Sequence, residues 1–259
     1  MLEVEILRLN VAEKKADHIK DCVAQESPLH IFLNRTFYAT IFCSPFDQKE
    51  LVIGHLLTEG FVTSVEEIEE IDLIEQTCKV KLRLDVDVKK RLGISRHSTR
   101  VILSECGGEQ PHKPFVKFPR IKSDLIVRAE TLLNSTSRLN SLALTYRKTG
   151  GVHAAASWTG DGNLVAIAED VGRHNAVDKV IGMSTARKIN LEQCFLTLTG
   201  RLTGDIVLKS ATVNLPLVAS LAAAVDSGIA LARKVNLTLV GFVRGKRMNV
   251  YSVPERIGL

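Results

Sequence analysis

Apolar and polar positions along this chain change their rhythm near residue 123. Before that point, Leu29 to Phe42 carries apolar stretches interrupted by Asn34-Arg35, which predicts a hairpin. Ser44-Pro45 then opens a helix, since proline suits the first helical position and Asp47 and Glu50 suit its positive end. Leu51, Ile53, Leu56 and Leu57 form its buried stripe, and Gly60 ends it. Ser64 followed three residues later by Glu67 is a capping-box pattern and predicts a short acidic helix, with Glu66, Glu67, Glu69 and Glu70 as a wet face. Val80, Leu82 and Leu84 alternate with Lys79, Lys81 and Arg83, a half-buried strand with a basic outer side.

From about Ser123 a helix to Leu139 leads into repeated strand and helix signals. Strand-like stretches at Val152 to Trp158 and Leu164 to Ala168 flank the hairpin turn Thr159-Gly160-Asp161-Gly162-Asn163. A helix after Asp170, a strand near Phe195 to Leu198 and a helix after Thr203 come next. A strand near Leu217 to Ala219, a helix after Asp226 and a strand near Leu237 to Phe242 complete the series. This alternation predicts an α/β fold with a largely parallel sheet covered on both faces. Ligands of such sheets sit beyond the C-terminal strand ends. Glu169 to Asn175, Thr199-Gly200-Arg201 and Arg244-Gly245-Lys246-Arg247 all fall there, which predicts one composite pocket.

Composition narrows the function classes. The 259 residues are 45% hydrophobic, enough for one large domain or two small ones. The net charge of +5 fits a phosphate-bearing partner, but basic residues are spread among acidic ones and Tyr and Trp are scarce, which argues against a dedicated nucleic-acid binder. No stretch approaches ~20 uninterrupted apolar residues, so no membrane span is expected, and the acidic, alternating N-terminus does not read as a signal peptide. Cys22, Cys43, Cys78, Cys106 and Cys194 are odd in number and none are in C-x-x-C spacing, which suits free thiols in a reducing cytoplasm.

The most informative string is Glu169-Asp170-Val171-Gly172-Arg173-His174-Asn175-Ala176. It reads as strand, tight turn and helix start, with Arg173, His174 and Asn175 where unpaired N–H groups favour an anion and Gly172 lets a ligand approach. A capped helix with a solvated first turn is the plain alternative. Cys106 stands in Leu103-Ser104-Glu105-Cys106-Gly107-Gly108-Glu109-Gln110-Pro111-His112, a glycine-rich loop that presents its sulfur either as a reactive thiol or as an ordinary loop cysteine. Nearby His112, Lys113 and Lys117 favour the thiolate, while Glu105 and Glu109 oppose it. Cys43 and Cys194 have apolar neighbours and read as small buried hydrophobes. In Thr149-Gly150-Gly151-Val152-His153-Ala154-Ala155 the glycines permit close backbone approach, and His153 is either a satisfied core histidine or part of the pocket floor. A zinc deaminase needs H-x-E and P-C-x-x-C; Ala155 stands where the glutamate would be, so no zinc is expected.

Taken in order, Ser44-Pro45-Phe46-Asp47, Gly54-His55-Leu56-Leu57-Thr58-Glu59-Gly60, TGGVHAA from Thr149, EDVGRHNA from Glu169, Gly200-Arg201, Gly241-Phe242-Val243-Arg244 and Asn249-Val250-Tyr251 cover nearly the whole chain. With them the chain resembles the FdhD family, the sulfurtransferase accessory proteins of formate dehydrogenase. The resemblance implies a zinc-free, cytidine-deaminase-like three-layer α/β/α domain over residues 123–259 and a smaller α+β domain over 1–122, ending in the Cys106 loop. It implies a homodimer that accepts persulfide sulfur from a cysteine desulfurase on Cys106 and passes it to the molybdenum (or tungsten) bis-guanine-dinucleotide cofactor before insertion into formate dehydrogenase. The family's cofactor-binding stretch falls on Phe242, Val243, Arg244, Gly245, Lys246 and Arg247, and a GDP-like nucleotide fits the same site. Gly150, Gly151, His153, Glu169, Asp170, Gly172, Arg173, His174, Asn175, Gly200 and Arg201 complete the expected cofactor-binding set, with Glu169 or Asp170 accepting from a guanine edge.

Two positions depart from the family pattern. Glu109 replaces the second loop cysteine, and Ala222-Ala223-Ala224-Val225 replaces the usual S-A-P-T segment. The first departure favours a non-catalytic cofactor chaperone as the alternative, though a relay needs only one sulfur-bearing cysteine.

Overall fold

The computed structural model describes residues 1–94, 101–102 and 119–259. The chain opens on an antiparallel arm, β1 (Leu2–Asn10) and β2 (Lys15–Val23), paired along their full length. β3 (Ser27–Leu33) and β4 (Thr36–Cys43) form the expected hairpin, and both turn residues, Asn34 and Arg35, adopt positive φ. Helix α1 (Gln48–Thr58) follows, then β5 (Ile68–Ile74), β6 (Thr77–Leu82), α2 (Val88–Ile94) and β7 (Val101–Ile102), giving a five-stranded sheet in the order β5-β6-β3-β4-β7.

Three local expectations change here. The helix begins at Gln48 instead of Pro45, with Asp47 left-handed at its cap. The acidic helix is instead one 3-10 turn, Val65–Glu67, running into strand β5. Ile71 and Leu73 alternate with Glu70 and Asp72 and pack against the first core, so period-two burial overrides the capping-box signal. Leu84 lies beyond β6 and is fully exposed.

The second lobe comprises β8 (Val127–Arg128), α3 (Ala129–Leu142), α4 (Leu144–Thr149), β9 (His153–Thr159), β10 (Leu164–Asp170), α5 (Arg173–Ala186), β11 (Cys194–Leu198), α6 (Gly204–Thr212), β12 (Leu217–Ser220), α7 (Asp226–Val235), β13 (Thr238–Arg244), β14 (Arg247–Ser252) and β15 (Ile257–Gly258). Its sheet runs β10-β9-β11-β12-β13-β14. Only β11–β12 and β12–β13 are parallel; β10–β9, β9–β11 and β13–β14 are antiparallel. The expected largely parallel sheet is therefore mixed. Short turns after β9 and β13 force their partners to run back.

Alternation along the strands builds two cores. Ala155, Leu196, Leu198, Val218 and Leu239 face α5, α6 and α7, while Ala154, Ala156, Trp158, Phe195, Leu217, Ala219 and Val240 face α3. Trp158, fully buried, donates from Nε1 to Thr197 Oγ1 at 2.8 Å. The lobe is thus three layers, helix on sheet on helix.

The first lobe docks through α1 on α5. Gly54 and Gly182 bring the two backbones into contact: a Cβ on Gly54 would lie 1.8 Å from the Asp178 carbonyl oxygen. Around this crossing His55 Nδ1 lies 3.2 Å from Asp178 Oδ2, and Lys209 Nζ lies 2.9 Å from that oxygen and 3.1 Å from Glu59 Oε1. Thr58 Oγ1 donates to the other Asp178 oxygen.

Candidate functional site at the strand tips

Parallel β11, β12 and β13 end at one edge of the sheet, and the polar strings gather there. Ser220 Oγ donates to the Gly200 carbonyl, and the Phe242 N–H donates to the Ala222 carbonyl, so Gly200-Arg201, Ala222 and Phe242–Arg244 form one continuous rim. His153 enters from β9, paired with Asp170 across the β9–β10 ladder, with Nδ1 3.4 Å from Thr199 Oγ1. Arg173 crosses Gly200 so closely that an added Cβ there would meet the arginine side chain at 3.0 Å. The geometry therefore brings His153, Gly172, Arg173, His174, Gly200 and Arg201 together, and links them to the β13–β14 turn through Ser220 and Ala222.

That turn is strained on its inner side. Phe242 has φ 52°, uncommon for a residue with a Cβ, and the Arg244 guanidinium lies 5.2 Å from its ring centroid. Gly245 takes φ 63°, as the reversal requires, and Arg244, Lys246 and Arg247 project into solvent while Val243 is buried below.

The acidic residues play a different part from the expected one. Asp170 is fully buried and pairs with Lys179 at 2.7 Å. It also accepts from the N–H groups of Ser44 and Gly172 and from Asn175 Nδ2. Burial raises its pKa against the pull of Lys179 and these donors. Asn175 also donates to the Phe42 carbonyl. Asp170 and Asn175 hold the EDVGRHNA turn against the first lobe, so in this structure their polar atoms are taken up by protein partners. Glu169 accepts from the N–H groups of Thr145 and Tyr146 and so caps α4, a use that competes with a guanine edge. Gly150 ends α4 at φ 64°, and Gly151 packs against Ala24 at the end of the arm. Sequence reasoning passed over Lys179. Its signal was a lysine on a helix whose flanking Ala176, Val177, Val180 and Ile181 are all apolar and buried.

The rim is electropositive. Burial, then Arg201, lowers the pKa of both His153 and Arg173, while burial, then Lys209 and Arg173, pushes His174 down to about 3. Cys106 lies outside the described residues. Cys43, Cys78 and Cys194 are buried, and burial lifts each thiol to about 11, so they read as inert packing groups. Among the described residues, no group of three or more His, Cys, Asp or Glu is placed to hold a metal ion, and no helix is long and apolar enough to cross a membrane.

Comparison with known proteins gives the family of the chain. Residues 24–258 match the FdhD/NarQ family. The sulfur carrier protein FdhD of Methanothermobacter thermautotrophicus is 34% identical over 98% of both chains. That of Sulfolobus acidocaldarius is 35% identical over 93% of this chain and 92% of its own. A crystal structure from Desulfotalea psychrophila, of a candidate formate dehydrogenase accessory protein, superposes with a TM-score of 0.80 at 26% identity over 99% of each chain. The chain belongs to the FdhD/NarQ family.

Proposed function

We propose that this protein is a sulfur carrier that serves formate dehydrogenase. The observation that carries the reading is the near-complete alignment with relatives named sulfur carrier protein FdhD. In this reading the Cys106 thiolate attacks the terminal sulfur of a cysteine desulfurase persulfide. A new S–S bond forms, the desulfurase cysteine leaves as thiolate, and Cys106 holds the persulfide. The bis-guanine-dinucleotide cofactor of molybdenum or tungsten is the acceptor substrate. Phe242 and the exposed Arg244, Lys246 and Arg247 suit its guanine and phosphate ends, the aromatic face for stacking and the cations for charge-assisted hydrogen bonds. The high thiol pKa values of Cys43, Cys78 and Cys194 count against those three as carriers and leave Cys22 and Cys106, of which Cys106 stands in the glycine-rich loop. The same reading makes the three-layer lobe a zinc-free, cytidine-deaminase-like domain and the protein a cytoplasmic homodimer.

Incubation with a cysteine desulfurase and cysteine is expected to add the mass of one sulfur atom to the peptide bearing Cys106. Cys106→Ser is expected to abolish both that adduct and maturation of formate dehydrogenase. Maturation by the serine variant would refute the covalent relay. Glu109 in place of a second loop cysteine favours one other reading, a cofactor chaperone without sulfur transfer, which predicts cofactor binding with no adduct.

A further inference from the structure

The arm formed by β1 and β2 has no core of its own. None of the eighteen residues in its two strands is buried. Ile6 pairs with Ile19 across the ladder, but Leu7 and Leu9 stand opposite His18 and Ala16 and are open to water. Exposure rises toward the turn, from 52% at Leu7 and 64% at Leu9 to 86% at Val11. Among the described residues, five of the fifteen large apolar side chains that are exposed fall at positions 1 to 11, so the bare surface belongs to this arm and not to the molecule at large. A two-stranded ribbon is marginal by itself in water, and among the described residues neither outer edge of this one is paired. A concentration of exposed apolar side chains of this kind marks a contact surface.

A matching surface lies elsewhere on the same chain. Asp124 and Ile126 before β8, Asp161 in the β9–β10 turn and Ile189 before β11 line a groove. Ile126 is exposed and Ile189 half-buried, so the lining is partly apolar. Asp124 accepts from the neutral Gln193 amide at 3.0 Å, and among the described residues neither it nor Asp161 forms an ion pair. Lys14, in the turn of the arm with φ 51°, is exposed and equally without an ionic partner among the described residues. An apolar knob beside a cation thus has its complement in an apolar groove flanked by carboxylates. The arm does not fill its own groove. Its foot, Ala24, packs against Gly151 near the His153 end of β9, whereas the groove lies at the Thr159 end.

We propose that two copies of this chain exchange arms across a two-fold axis, each seating its Leu9–Val11 tip in the other's groove with Lys14 facing Asp124 and Asp161. The two contacts are identical, so every contribution counts twice. The arm precedes residue 24, where the family match begins, so the donor half of this contact lies outside the matched segment. The exchange names a contact for the homodimer of the proposed function and does not depend on sulfur transfer.

The test mixes two full-length variants, one with Val11→Cys and the other with Ile126→Cys, under mild oxidation. A disulfide between positions 11 and 126 is expected in the mixture and in neither variant alone, mapped by peptide mass spectrometry to separate it from links through native thiols. Sedimentation equilibrium reads the same contact without cross-linking. Val11→Glu is expected to weaken dimerisation at least about tenfold, because it sets a carboxylate where a valine is covered. Lys14→Glu is expected to weaken it several-fold, and Asp161→Lys in the same chain to restore it. All four positions are exposed in the single chain, so these changes leave its core intact. A link joining two copies of position 11, absence of the 11–126 link, or dimerisation unchanged by Val11→Glu each overturns the exchange. A parent chain that sediments as a monomer overturns it together with the homodimer, and leaves persulfide loading on Cys106 untouched. Failed loading would refute the carrier reading and leave the arm exchange standing.

Discussion

Lys179 and Asp170 show how much one buried ion pair can organise. Their charges meet at 2.7 Å with both side chains fully buried, and Lys179 also donates to the Ser44 and Glu169 carbonyls. The pair therefore joins the end of β10, the start of α5 and the segment before α1. Lys179→Met removes one charge and strands the other, which is expected to cost about 3–5 kcal/mol in urea unfolding near neutral pH. The loss carries its own signature. An uncompensated buried carboxylate has a pKa above that of the unfolded chain, so it stabilises the fold below the unfolded value and loses that contribution as pH rises. The gap between variant and parent is thus expected to narrow as pH falls, and a pH-independent gap would exclude the ion pair as its source. None of this was legible from Asp170 alone. An acid beside a glycine turn suits a ligand as well as a lysine, and only the packing of α5 on β10 and α1 chooses between them.

At the scale of elements, strong periodicity was read correctly and weak local signals were overruled. The β9–β10 hairpin and helices α5, α6 and α7 fall where the alternation and helical spacing place them. The capping box at Ser64 failed because Glu67 accepts from the Thr63 N–H and pairs with Arg91, while β5 beyond it finds β6 as a partner. Strand pairing is a long-range outcome that no capping motif reports. The contact of α1 with α5 belongs at this scale too. Gly54 and Gly182 meet backbone atoms, which cannot rotate away as a side chain would. Gly54→Ala is expected to destabilise the protein by at least 1–3 kcal/mol and to lower Tm visibly in a calorimetric scan. An unchanged Tm would mean that the helices separate without cost.

Across the whole molecule, the charge cluster beneath the strand tips makes stability depend on pH. Burial opposes ionisation of Asp178 and Glu59, but Lys209 and His55 outweigh it and hold both carboxyls at about 2. His174 is held at about 3 by burial, Lys209 and Arg173. All three have folded values below their unfolded ones, so their contributions are complete above the unfolded pKa and fade as pH falls. His174 acts from about pH 6.5 downward and the carboxyls from about pH 4. Asp170, raised by burial, acts with the opposite sign but is a single group. The denaturation midpoint is expected to fall from about pH 6.5 through acid pH, and His174→Asn to flatten the upper part of that decline. A profile unchanged by His174→Asn would assign the decline to other groups.

Composition, periodicity and ordered motifs were sufficient to place this chain in its family and to predict helices on both faces of a sheet, because burial period and glycine-marked turns are written locally. The same strings marked the basic segments that meet at the strand tips. Which of these residues bond to one another was decided only in three dimensions. The charges in EDVGRHNA are chemically versatile, and it took the docking of α1 on α5 to turn Asp170 and Asn175 toward protein partners and leave Arg173 beside Gly200.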